Sequence, residues 1–389
     1  MRKIALISLL AFLVACADEA PVAPDQQHVG NVMAAKGGNK PPEAPSSADP
    51  AIAFFTYSRE YEYSIRVMNE DGSNNTRLIW GDGVIDPSWK PGTPGEGSMA
   101  YTKRRGTESG YYELWRMDVR VDGGVLVAES SGPLAECAGE PAWSPVGVGW
   151  ASGKEVIAYV EQGYNCAPGA HSNPTSYELR YVCAEGDGTC GGTLHTALEG
   201  VRINYAAWSP DASGIAFVES GRIGDENVWW IKILDLGTSP PTVSEVFTTE
   251  GTGLHEVWYL DWSRVGDRLA FSAHGMTAGG EKGKGKPKVR SYVYTLDVTP
   301  NGEGGWTPGT LTQLIEGSGV TWWPDDQYLV VSQAWDLLKV DAATGTIVAT
   351  LSDCGAAPDM KRPCGLRRMK APEPAALGQS HLPSLNTGR

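Results

Sequence analysis

The sequence predicts an all-β protein built from one repeated unit of short strands. Gly (48 residues) and Pro (26 residues) are spread over the 389-residue chain instead of forming one linker. This distribution is typical of many short strands joined by turns. Beyond the N-terminal segment, no 3.6-residue period of apolar residues is sustained over a dozen positions, so long helices are not expected. A pattern of strands recurs six times, at intervals of 47 to 60 residues.

The clearest copy of the unit covers residues 203–236. A strand ending in Trp208-Ser209-Pro210 leads through a tight turn into a second apolar strand that begins at Ile215, and a third strand ends at Asp235. The six second strands begin at Ile52, Met99, Ile157, Ile215, Leu269 and Leu329. Five of them follow a strand with a Trp near its end, at Trp89, Trp143, Trp208, Trp262 and Trp323.

Four short strands repeated at this period predict a six-bladed β-propeller over residues 51–352. One blade cannot cover both faces of its own sheet, so the blades stack around an axis and share Trp and aliphatic side chains. The Trp residues are therefore interpreted as core between blades. The first copy lacks its Trp strand, and we expect a closing strand from residues 365–371 or from residues 28–35.

The blade pattern resembles the TolB-type, WD40-like propeller repeat of bacterial periplasmic proteins. Two of its Trp strands are Pro141-Ala142-Trp143-Ser144-Pro145 and Ala207-Trp208-Ser209-Pro210-Asp211, and residues 67–74 match its third strand and turn. The resemblance implies a six-bladed platform that binds other envelope proteins. TolB itself carries an extra α/β domain before its propeller. That domain has no counterpart here, so a role in the Tol system is not carried over.

The N-terminal segment indicates export. Residues 1–15 combine a basic start, Arg2-Lys3, with a run that is apolar except for Ser8 and is too short to span a bilayer. Its end, Leu13-Val14-Ala15-Cys16, resembles the bacterial lipobox, which implies a signal peptide cut before a lipidated Cys16. The alternative is an ordinary secretory signal with a chance Cys. Ala17 after the Cys favours anchoring in the outer membrane.

Composition divides the rest of the chain. Residues 16–50 are rich in Pro, Ala, Gly and Ser and read as a flexible tether, while residues 353–389 read as a C-terminal segment with a loose tail. The net charge of −14 disfavours nucleic acid as a partner, because binding phosphates requires a basic face. We expect a monomeric propeller attached to the membrane through its lipid.

The cysteine count agrees with an oxidising compartment. Apart from Cys16, six cysteines remain, which allow fifteen pairings. The repeat register favours three bonds: Cys137–Cys166, Cys183–Cys190 and Cys354–Cys364. No Cys-x-x-Cys pair is present, so a zinc site is not expected.

Insertions concentrate on one face of the predicted propeller, which we call the long-loop face. It carries the loops between second and third strands, at residues 102–111, 161–175, 219–227 and 273–290, together with the blade-to-blade connections. Loop insertions on one face are typical of a binding face. The candidate binding residues there are Asp86, Arg104, Arg105, Glu140, Tyr164, His171, Arg222 and His274.

The first functional hypothesis is a non-enzymatic, lipid-anchored platform that binds envelope proteins and needs neither cofactor nor metal. No Gly-x-Ser-x-Gly motif supports a hydrolase, and the histidines show no metal-binding spacing. The alternative is a carbohydrate binder or glycan lyase with its site at the channel mouth, where Asp86 and Glu140 lie three residues before a Trp. Tyr205, Tyr259 and Val320 occupy that place in other blades. A convergent cluster of polar and aromatic residues over the channel would favour the alternative.

Overall fold

The computed structural model describes residues 52–353, with gaps at 59–61, 82, 92–96, 106–110, 123–124, 146, 152, 163–175, 187–189, 278–287 and 335. The strands are β1 (Ile52–Ser58), β2 (Glu62–Met68), β3 (Thr76–Gly81), β4 (Ile85–Trp89), β5 (Gly97–Arg104), β6 (Tyr112–Asp122), β7 (Val125–Glu136), β8 (Ala138–Trp143), β9 (Val156–Gln162), β10 (Tyr177–Cys183), β11 (Gly191–Thr196), β12 (Arg202–Trp208), β13 (Gly214–Ile223), β14 (Glu226–Asp235), β15 (Thr242–Thr248), β16 (Leu254–Trp262), β17 (Arg268–Thr277), β18 (Lys288–Pro300), β19 (Trp306–Glu316), β20 (Gly319–Trp322), β21 (Tyr328–Gln333), β22 (Asp336–Asp341) and β23 (Ile347–Asp353).

These strands form six antiparallel sheets in chain order. Blade 1 contains β1–β3, and blades 2 to 6 contain β4–β7, β8–β11, β12–β15, β16–β19 and β20–β23. In the described part of the chain the helical content is one short 3-10 turn, Gly149–Ala151. No helix there has the length and apolar character needed to cross a membrane. The prediction of an all-β, six-bladed propeller is confirmed.

Each repeat Trp lies opposite the start of the next strand. Trp208 pairs with Ile215, and Trp262 pairs with Leu269 in the same register. The turn between β12 and β13 is closed by the Ser209 N–H donating to the Gly214 carbonyl at 2.9 Å. Asp211 stabilises that turn by accepting from the Ser213 N–H at 3.0 Å, as an Asx side chain does for the backbone two residues on.

Apolar clusters occupy all six interfaces between neighbouring blades. Trp143 packs between blades 2 and 3, Trp208 between blades 3 and 4, and Trp262 between blades 4 and 5. The ring closes where Phe54 of blade 1 packs with Leu351 of blade 6. Since every blade is buried on both faces, the interpretation of the Trp residues as core between blades is confirmed.

Two details of the predicted register are wrong. The repeat Trp of blade 6 is Trp322, which pairs with Leu329, and not Trp323. The Trp323 N–H bonds the Tyr328 carbonyl at 2.9 Å, as Ser209 bonds Gly214 in blade 4. The place three residues before the Trp in blade 6 therefore belongs to Gly319 and not to Val320.

The predicted polar loop at residues 219–227 is mostly strand. The β13–β14 ladder continues to the Ile223–Glu226 pair and leaves a two-residue turn at Gly224-Asp225. Gly224 has φ 59°, a left-handed conformation that Gly adopts without steric cost and that suits a tight hairpin.

The Cys183–Cys190 disulfide is confirmed, with Cα atoms 5.3 Å apart. Cys137 is also disulfide-bonded. Its predicted partner, Cys166, lies outside the described residues, as do Cys16, Cys354 and Cys364. Both segments expected to close the ring, 28–35 and 365–371, lie outside the described residues as well.

Candidate functional site

The first strand of each blade lies at the propeller axis. Strand β12 is buried over most of its length, whereas the fourth strand β11 has no buried residue and β19 is mostly exposed, so these strands form the outer rim. First strands of neighbouring blades also contact one another, as β12 does with β8 and β16. Side chains of β4, β8, β12, β16 and β20 are therefore the ones placed nearest the central channel.

Four of these first strands contain a bulge at the same place. Asp86, Glu140, Tyr205 and Tyr259 have φ values of 56°, 55°, 43° and 53°, and the strand register shifts beside each of them. A left-handed residue inside a strand interrupts the ladder and redirects its side chain. The place three residues before the Trp is thus a repeated structural feature of blades 2 to 5.

The two carboxylates singled out from the sequence each have a partner. Glu140 accepts a hydrogen bond from the Tyr205 N–H of the next blade. Asp86 is 5 % exposed, and its Oδ2 accepts from the Thr102 hydroxyl at 3.3 Å. Glu140 therefore links the first strands of blades 3 and 4, and Asp86 ties the first strand of blade 2 to the second.

Aromatic side chains converge where blades 4 and 5 meet near the axis. The ring centroids of Tyr205 and Tyr259 are 5.6 Å apart, and Trp258 lies 6.3 Å from each of them. Trp258 and Tyr259 are half-buried, and Tyr205 is 6 % exposed. We call Tyr205, Trp258 and Tyr259 the aromatic cluster.

A carboxylate and an imidazole border this cluster on the side of the long-loop face. Glu256 and His274 are paired across β16 and β17, and His274 Nδ1 lies 2.9 Å from Glu256 Oε2. Trp258 Nε1 donates to the same oxygen at 3.0 Å, and the Trp258 and His274 rings are 5.8 Å apart. The side chains of Glu256 and His274 are 38 % and 30 % exposed, so both remain open to a ligand.

A second Glu–His pair lies between blades 3 and 4, and its carboxylate is shielded from solvent. The Glu219 side chain is 6 % exposed, has His195 Nε2 at 2.9 Å and accepts a hydrogen bond from the Lys232 ammonium. Burial alone would raise the pKa of Glu219, but the hydrogen bonds from His195 and Lys232 outweigh it and hold that pKa below its ordinary value. This buried arrangement joins two blades.

The other predicted binding residues lie in separate blades. Arg104 ends β5, and Arg105 follows it with Nη1 2.7 Å from Glu136 Oε1. Arg222 lies near the tip of the β13–β14 hairpin and is exposed. Tyr164 and His171 lie outside the described residues. Of the predicted set, Glu140 contacts the backbone of Tyr205, and His274 places its ring beside Trp258 of the aromatic cluster.

Sequence reasoning missed Glu256 and Trp258, which complete the site. A signal for them was available, because Glu256 and Trp258 alternate on one strand and His274 lies five residues after the start of the second-strand motif. Counting pairs back from Trp262 and Leu269 brings Glu256 next to His274 but one position out of register, because of the bulge at Tyr259. Among the described residues, no group of three or more His, Cys, Asp or Glu side chains could hold a metal ion.

Comparisons with known proteins give no family. No protein-family model matches the chain, and no curated protein matches it. Among solved structures, an oligogalacturonate lyase from Vibrio parahaemolyticus is 13 % identical, with a TM-score of 0.37 over 72 % of this chain and 71 % of that one. An oligogalacturonate lyase in complex with manganese is also 13 % identical, with a TM-score of 0.35 over 69 % and 70 %. The dihydro-heme d1 dehydrogenase NirN is 13 % identical, with a TM-score of 0.37 over 81 % and 78 %.

These structures correct one expectation. The expectation of a protein that is not an enzyme is corrected to this extent: solved structures with this fold include two lyases and a dehydrogenase, so the propeller fold does not exclude an enzyme. At this identity the likeness concerns the propeller fold and assigns none of their activities to this chain.

Proposed function

We propose that this chain is an exported β-propeller that binds a carbohydrate at the long-loop end of its central channel. The aromatic cluster beside Glu256 and His274 carries the proposal. Ligand sites typically combine aromatic walls with a few placed polar groups. A sugar ring suits this combination, because its C–H face packs on an aromatic ring while its hydroxyls bond to carboxylate and imidazole atoms.

The test is binding of three hexasaccharides, built from glucose, N-acetylglucosamine or galacturonate, measured by calorimetry. We expect Trp258→Ala to weaken binding of the preferred hexasaccharide by about tenfold or more, as truncation of an aromatic anchor does. The matched control is Trp150→Ala. Trp150 is 41 % exposed and stacks edge-on against Tyr181 in blade 3, away from the cluster. Equal losses in both variants, or no binding of any hexasaccharide to the wild type, would contradict the proposal.

We also propose that the protein is lipid-anchored through Cys16 in the bacterial envelope, at the outer membrane. The Cys183–Cys190 disulfide and the lack of a membrane-crossing helix in the described residues are compatible with export. Labelling of cells with radioactive palmitate should mark the wild-type protein, and Cys16→Ser should abolish the label. Labelling that survives this substitution would contradict the anchor.

The TolB resemblance implies a platform for envelope proteins, and this role stays a prediction. A crosslinking pull-down from native envelopes tests it directly. Recovery of a stoichiometric partner would support it, and absence of any such partner would count against it.

A further inference from the structure

The contacts of Glu256 constrain the chemistry of His274. One oxygen of the carboxylate, Oε2, lies 2.9 Å from His274 Nδ1 and accepts from Trp258 Nε1 at 3.0 Å. An ionised carboxylate has only acceptor sites, and an indole nitrogen only donates. A carboxylate oxygen 2.9 Å from Nδ1 repels a lone pair on that nitrogen, so the carboxylate favours the imidazole form with its proton on Nδ1.

This arrangement leaves Nε2 of neutral His274 as an acceptor. A neutral imidazole carries one donor and one acceptor nitrogen, and the partner of one nitrogen decides the role of the other. In the described part of the chain, no hydrogen bond or ion pair involves His274 Nε2. The His274 side chain is 30 % exposed, and its ring lies 5.8 Å from that of Trp258. The acceptor nitrogen Nε2 therefore belongs to a ring that borders the aromatic cluster.

The buried Glu–His pair shows the opposite arrangement. His195 faces Glu219 through Nε2, at 2.9 Å, and the same carboxylate is also bound by Lys232. Nε2 of His195 therefore already has a partner, at the interface between blades 3 and 4. His274 is therefore distinguished by which ring nitrogen meets the carboxylate and by its place at the channel.

We propose that His274 is the specificity-determining residue of the site, accepting through Nε2 a hydrogen bond from a hydroxyl of the bound carbohydrate. Glu256 is a positioning residue, because it fixes the proton on Nδ1 and holds the ring beside Trp258. The inference rests on the proposed carbohydrate site and deepens it. It predicts preference for ligands that present a hydroxyl donor next to the face that stacks on the aromatic cluster.

The first experiment determines which ring nitrogen of His274 carries the proton, and it needs no ligand. Protein labelled with ¹⁵N at both histidine ring nitrogens is examined by NMR at neutral to slightly alkaline pH, and His274→Phe identifies the His274 signals. We expect the wild-type ring to carry its proton on Nδ1. Glu256→Gln should increase the share of the form protonated on Nε2, since an amide NH₂ can face the ring. A wild-type proton on Nε2 would overturn the inference.

The second experiment measures preference for a donor. The hexasaccharide that binds is compared with its fully O-methylated form, which keeps the apolar faces but has no hydroxyl to donate. We expect His274→Phe to reduce the preference for the hydroxylated probe by about tenfold, the size of one hydrogen bond of about 1.4 kcal/mol. His255→Phe, at an exposed histidine on β16, is the matched control and should leave the preference unchanged.

The outcomes separate this inference from the proposed function. Binding of a hexasaccharide with the same preference in wild type and His274→Phe would overturn the role of His274 and leave the carbohydrate site standing. Failure of every hexasaccharide to bind the wild type would overturn both. Near-ultraviolet circular dichroism of each variant verifies that the Trp environment of the propeller is retained.

Discussion

Glu219→Gln tests whether the buried Glu–His–Lys arrangement holds blades 3 and 4 together. The substitution keeps the shape of the side chain and removes its charge, leaving Lys232 beside a neutral amide. Breaking a buried ion pair costs about 3–5 kcal/mol. The side chains of Lys232 and His195 are 24 % and 22 % exposed, so water can solvate them in part, and we expect a smaller loss of about 2 kcal/mol in the free energy of unfolding. For a chain of this size, that loss lowers Tm by roughly 2–4 °C.

The pH dependence gives the sharper readout. Because the folded-state pKa of Glu219 is held below its ordinary value of 4.5, its charge contributes stability above that value. The contribution is lost as the pH falls through the folded-state pKa. The Tm difference between wild type and Glu219→Gln should therefore be full at pH 7 and shrink in acid below about pH 4.

The matched control is Glu129→Gln. Glu129 pairs with Arg120 at 2.6 Å, but their side chains are 62 % and 44 % exposed. A surface pair of this kind contributes about 0.2–1 kcal/mol. Thermal unfolding of both variants is followed by circular dichroism over a pH series. Equal effects of the two substitutions, or a difference for Glu219→Gln that persists unchanged in acid, would refute the reasoning.

Three further predictions concern stability. Burial raises the pKa of Asp326, although its carboxylate accepts backbone hydrogen bonds that include one from the Val265 N–H at 2.7 Å. The wild type therefore loses stability as the pH rises from the pKa of Asp326 in the unfolded state to its pKa in the folded state. Asp326→Asn should unfold at a higher temperature than the wild type at pH 7, and this difference in Tm should vanish in acid. Replacing Cys183 and Cys190 by Ser opens a short loop and should lower the free energy of unfolding by about 2.5 kcal/mol in denaturant titrations, and an unchanged free energy of unfolding would contradict this. Trp208→Ala removes a side chain that is 1 % exposed and should cost about 3–5 kcal/mol by the same titration, and a loss below that of the disulfide variant would contradict its role between blades.

The repeat was predictable because each copy spaces a Trp, a turn and an apolar strand in the same way. The predicted register of blade 6 is wrong because Trp322 and Trp323 are adjacent, and their spacing from the other copies does not show which one is the repeat Trp. A slip of one residue turns every side chain to the other face of a strand. Pairing Trp322 with Leu329 settles the choice, and pairing is a property of two strands.

The candidate site was less predictable for a related reason. His274 was singled out, but Glu256 was not, because the two residues are eighteen positions apart and meet only across β16 and β17. The bulge at Tyr259 shifts the register between them, so counting back from Trp262 does not reveal the pair. The contact of Glu140 could not be predicted from the sequence either, because it joins Glu140 to a backbone N–H in the next blade.

The place where the chain joins the propeller determines how the ligand site can be presented. Strand β1 corresponds to a second strand, because Ile52 pairs with Met68 as Ile215 pairs with Leu234, and second strands begin at the face that carries the first-to-second turns. The start of β1 therefore lies on the face opposite the long-loop end of the channel. In the proposed lipid-anchored protein, the proposed carbohydrate site thus faces away from the end of the propeller at which β1 begins.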